Sequence, residues 1–130
     1  MKIDTKNLIP KDKGDIETAE KLKNYSYEDL KEIIPDLLEW LQDLNWPVAK
    51  PVSECLESIN DKITTELLSI LKSHDDEIWK YSIVTIFGPI TKSPIIQKEI
   101  MRIANLPTKN EINEEVSEIA MEIVKNREWK

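Results

Sequence analysis

The sequence predicts an all-α fold: a right-handed α-solenoid of about three helical hairpins, preceded by short N-terminal helices. Three observations predict it. Apolar residues recur at helical spacing through nearly every segment from Ile16 to Val124. Only two of 130 residues are glycine, too few for the tight turns of a sheet-rich chain. A two-helix pattern also repeats at about thirty residues. Leu37-Leu38-Glu39-Trp40-Leu41 is echoed by Leu67-Leu68-Ser69-Ile70-Leu71, and loosely by Ile100-Met101-Arg102-Ile103-Ala104, while Val48 maps onto Ile78. In such an array each repeat buries its neighbour's apolar face. A plain helical bundle is the rival architecture.

Each element has a local reason. Residues 1–14 read as a polar N-terminal arm, broken by Pro10 and Gly14. Asp15 caps a short helix to about Tyr25, with Ile16, Ala19 and Leu22 on one side. Ser26 and Asp29 start a second, carrying Tyr27, Leu30, Ile33 and Ile34. Pro35 opens a helix to Leu44, bearing Leu37, Leu38, Trp40 and Leu41. After a corner at Asn45 the next helix buries Val48, Ala49, Val52, Cys55, Leu56 and Ile59. Asp61 is the expected cap for a helix with Ile63, Leu67, Leu68, Ile70 and Leu71. Beyond His74-Asp75-Asp76, the run from Ile78 to Phe87 is apolar around most of its circumference and should lie centrally. Gly88-Pro89 ends it, and Ser93-Pro94 starts the next. Thr108 and Glu111 form a capping box for one last helix, whose face is Ile112, Val116, Ile119, Ala120, Ile123 and Val124. Residues 1–130 are expected to form a single helical-repeat domain.

Composition narrows the function. The net charge is -7, and only Arg102 and Arg127 are arginine. Phosphate recognition favours basic side chains and arginine above all, so nucleic acid is disfavoured as a partner. A basic protein surface suits this chain better. Lone Cys55 and lone His74 offer neither a disulfide nor a thiolate–imidazole metal set, and no cofactor or metal is expected. The first fifteen residues hold no apolar core of a secretory signal, and no run of eighteen apolar residues occurs. A cytoplasmic location with no membrane contact is the expectation.

Several stretches together resemble one family. They are Leu8-Ile9-Pro10-Lys11-Asp12-Lys13, residues 37–43, Asn45-Trp46-Pro47-Val48-Ala49-Lys50-Pro51-Val52, Asp75-Asp76-Glu77-Ile78-Trp79-Lys80-Tyr81 and Ala104-Asn105-Leu106-Pro107-Thr108. The chain is similar to the bacterial domain of unknown function numbered 5071. That resemblance implies a HEAT/armadillo-like fold, which agrees with compact HEAT-like hairpins, and it implies no catalytic residue or ligand.

Candidate partner-binding residues are Asp43, Trp46, Lys50, Asp76, Trp79, Lys80 and Tyr81. Pro51 and Lys50 break local helix rules, so the helix there either starts late or kinks. Trp46 either staples a corner or reads a partner, and Trp40, Trp79 and Tyr81 either fill the core or supply hot spots. Asp43, Lys50, Asp75, Asp76 and Lys80 sit at repeat corners, as an ion-pair ladder or as a ligand-facing strip. Glu111, Glu115, Glu118 and Glu122 make an acidic line, which is either a solvated face or a docking surface for a basic partner. No catalytic set is discernible. The expectation is a non-enzymatic protein-binding module meeting a basic partner protein, immunity-type proteins being one instance. The alternative is a small HEAT-like nucleic-acid-modifying enzyme, such as a DNA glycosylase acting on a flipped base.

Overall fold

The computed structural model describes residues 5–130, and among them every regular element is helical. The chain divides into two compact units, one running to Lys62 and the other starting at Ile63. No helix among the described residues is long and apolar enough to cross a membrane.

The first unit holds α1 (Ile16–Lys21), α2 (Tyr27–Leu30), α3 (Ile34–Glu39) and α4 (Ala49–Ser58); single 3₁₀ turns join α1 to α2 and α2 to α3, and an irregular corner joins α3 to α4. Asp15 caps α1 by accepting from the Thr18 amide. Ser26 and Asp29 form a complete capping box on α2. The amphipathic α4 packs against α1 and the 3₁₀ turn Leu22–Asn24. Leu22, Leu30, Leu37, Leu41, Val52 and Leu56 are fully buried here. Each such side chain contributes about 1.5–3 kcal/mol of hydrophobic stabilisation.

One expectation changes in this unit. The helix from Pro35 ends at Glu39 rather than Leu44. The amides of Trp40, Leu41 and Gln42 each reach the carbonyl three residues back, tightening the chain into a corner that buries Leu41 and leaves Leu44 exposed. The described part of the N-terminal arm lies against the rest of this unit. Leu8 and Pro10 are buried, and the Lys13 carbonyl accepts from the Val48 amide. The Lys50-Pro51 puzzle resolves as a late start: with α4 beginning at Ala49, Pro51 lies in the first turn, where no intrahelical donor is lost.

The second unit holds α5 (Thr64–Lys72), α6 (Glu77–Phe87), α7 (Pro94–Asn105), α8 (Lys109–Asn113) and α9 (Val116–Arg127). Asp76, Ser93 and Thr108 cap α6, α7 and α8. Asp61 does not cap α5; it lies in a 3₁₀ turn, and Ile63 takes the N-cap position without a side-chain bond. Helix α5 packs on α6 and α7, and α9 packs on α6 and α7. At Gly88 a Cβ would stand 2.5 Å from the Val84 carbonyl oxygen and 3.1 Å from an Ile123 methyl, so the close approach of α9 needs glycine there. Arg127 donates to the Gly88 and Thr91 carbonyls, satisfying the orphan acceptors past the end of α6.

The expected apolar barrel of α6 is inverted at two positions. Ile78 is 59% exposed, whereas Lys80 is fully buried. Val48 is also fully buried, so the thirty-residue correspondence between Val48 and Ile78 does not extend to environment. The expected single last helix is two, α8 and α9, separated by Glu115 in the left-handed region at φ 64°. That break turns Ile112 out to 55% exposure, while Val116, Ala120 and Ile123 stay buried.

Candidate functional site

Two polar constellations occur in the second unit, one buried and one open. The buried one begins at Lys80, whose position on α6 points its ammonium inward among carboxylates. Lys80 Nζ lies 2.9 Å from Glu111 and 3.2 Å from Glu77, one turn back on the same helix. From α7, Arg102 donates to both oxygens of Glu111 at 2.9 and 2.7 Å, and forks onto Glu99 on its own helix. Glu111 also accepts from the Thr108 amide, completing its capping box. Burial pushes the Glu111 carboxyl up, but the Arg102, Thr108 and Lys80 donors outweigh it and hold the group at about 2. Hydrogen bonds to Glu111 foremost and Glu99 next raise Arg102 above its ordinary value.

Two cations face three carboxylates in this cluster. Glu77 carries the imbalance: its ion pair with Lys80 is poorly directed, and neither of its buried oxygens accepts a hydrogen bond. A charge so enclosed requires its partners, and removing one strands the others. The arrangement holds α6, α7 and α8 together.

The open constellation is a notch of about 120 Å³ lined by Tyr81 of α6 with Glu115, Glu118, Ile119 and Glu122. Among the described residues none of these three carboxylates takes part in an ion pair. Glu118 and Glu122 stand four apart on α9, where like charges oppose the helix by a few tenths of a kcal/mol. Glu115, at the left-handed corner before α9, brings a third carboxylate to the same rim.

The seven candidate residues divide between the two units. In the first, the Asp43 carboxylate accepts from the Asn45 amide and shapes the corner. Trp46 is half-buried, its ring edge-on to Trp40 with centroids 5.6 Å apart. Lys50 is exposed and lines an open groove of about 590 Å³ with Tyr25, Glu54 and Cys55. Burial pushes the Cys55 thiol up, and it points at the Leu22 carbonyl from 3.9 Å. In the second unit, Asp76 caps α6 through the Trp79 amide, and Trp79 is half-buried. Lys80, expected at a surface corner, is instead sealed among carboxylates and presents nothing outward. Tyr81 alone of the seven lines the acidic notch. The acidic line loses Glu111 to the buried cluster and keeps Glu115, Glu118 and Glu122.

Sequence reasoning passed over Arg102, Glu99 and Glu77. The Glu99–Arg102 spacing of three was a readable helical ion pair. The junction with Glu111 was not readable, because it joins residues brought together only by the packing of α8 on the rest of the unit.

A search of curated proteins finds no match to this chain. The model of one family, described as a domain of unknown function (DUF5071), matches residues 8–124, from Leu8 of the arm to Val124 near the end of α9. The chain belongs to the DUF5071 family.

Proposed function

We propose that this protein is a non-enzymatic binding module that presents an acidic face to a basic partner protein, as immunity-type proteins do. The observation that carries the reading is the notch around Tyr81, where Glu115, Glu118 and Glu122 stand without cationic partners among the described residues. A cation entering there meets carboxylates beside the Tyr81 side chain, a setting that suits a lysine or arginine side chain. The overall charge of -7 adds long-range attraction and speeds such encounters.

HEAT-like stacking in a bacterial, cytoplasmic chain belongs to the same proposal. The packing of α5 on α6 and α7, with α9 on α6 and α7, supports a reading as two hairpins stacked first helix on first and second on second. Such a stack leaves helix faces and edges free for a partner.

The test is capture at physiological salt from the native cell, using the wild-type chain beside a Glu118→Lys/Glu122→Lys double variant. A basic protein retained by the wild type and lost by the variant is expected. A monodisperse monomer with no partner, or a partner held equally by both chains, would overturn the proposal.

A further inference from the structure

Between the end of α7 and the start of α9, the chain from Asn105 to Glu115 is almost unanchored by apolar contacts. Glu111 alone among these residues is buried; Pro107 and Thr108 are half-buried and the rest are exposed, Leu106 at 75% and Ile112 at 55%. The anchor is therefore a charged group, gripping Lys80 of α6 and Arg102 of α7. The far end of the segment is Glu115, a non-glycine residue in the left-handed region. Such a conformation is held only while its surroundings impose it.

We infer that residues 106–115 form a strap over the Lys80–Arg102 pair, latched shut by the single side chain of Glu111. The inference stands apart from the binding proposal, since it uses none of the notch carboxylates except Glu115, and that one only as a hinge. Segments with few buried apolar contacts open before the core does. Once Glu111 leaves, α8 has no other buried side chain to hold it down, and the segment keeps only the exposed Arg102 bond to the Leu106 carbonyl. Lifting the strap would uncover Lys80, expose the partly open Arg102 further and bare the otherwise enclosed carboxylates of Glu77 and Glu99.

Native-state hydrogen exchange on the full chain reads the strap directly. The amides of Ile112 and Glu114, bonded to the Thr108 and Asn110 carbonyls, report α8; those of α6, α7 and α9 report the core. In the wild type, α8 amides are expected to exchange by an opening that is insensitive to low denaturant, unlike core amides of α7 and α9. In Glu111→Gln, α8 amides should exchange at least about ten-fold faster, while the core amides of α7 and α9 still exchange only through the denaturant-sensitive global opening. Should that variant unfold, the wild-type profile alone decides. Exchange of α8 with the same rate and denaturant dependence as α9 in the wild type, or unchanged α8 exchange in a folded Glu111→Gln, would overturn the inference.

Discussion

The two capping boxes of this molecule are built alike and end in different roles. At α2, Ser26 accepts from the Asp29 amide while Asp29 returns the bond to the Ser26 amide, and the side chains go no further. At α8, Thr108 and Glu111 make the same reciprocal pair, yet Glu111 is fully buried and also accepts from Lys80 and Arg102. Glutamate's extra methylene lets one carboxylate serve its own helix and reach two others. A local motif thus becomes a tertiary joint, and the energy at stake changes with it.

The largest effect should come from cutting that joint. Glu111→Ala strands Lys80 and Arg102 and is expected to lower the unfolding free energy by about 3–5 kcal/mol, read from urea denaturation. The pH dependence sharpens the same point. The Glu111 carboxyl stands at about 2 against an ordinary 4.5, so its contribution is present above pH 4.5 and is lost as pH falls through about 2. The loss is on the order of 3 kcal/mol and is visible as an acid-side fall in stability that Glu111→Gln lacks. Asp29→Ala, in the exposed box, should cost only about 1 kcal/mol in the same assay and leave the acid limb intact. Smallest of all is the neighbouring surface pair Glu28–Lys31, with both side chains more than half exposed. Lys31→Ala should fall within about 0.5 kcal/mol of wild type. Similar losses at Glu111 and Asp29 would erase the distinction.

How much of this was legible in the residues follows from the same contrast. Both boxes, the Ser93-Pro94 start, the Asp76 corner and the Gly88-Pro89 stop depend on neighbours within four positions, and each is where local chemistry puts it. The early end of α3 was not legible, because Trp40 and Leu41 continue the apolar spacing while the chain tightens into a corner that buries Leu41. The α8–α9 break carries neither glycine nor proline to announce it; only the tertiary hold on Glu111 and Val116 gives it a reason. The exchange of Ile78 for Lys80 on the inner face of α6 is the sharpest case. Hydropathy assigns the isoleucine to the core, yet Lys80 is inside because its partner Glu111 lies thirty-one positions ahead. Of the candidate site, the Glu115, Glu118 and Glu122 rim was readable as a charged face, but neither its meeting with Tyr81 nor the departure of Glu111 from it.

A double-mutant cycle on Glu111→Gln and Lys80→Met, followed by urea unfolding, tests the joint most directly. A burial held together by mutual dependence predicts a coupling of about 1–3 kcal/mol, with the double variant far less damaged than the two losses added. Simple additivity within about 0.3 kcal/mol would contradict it and reduce Glu111 to the local cap that Asp29 is.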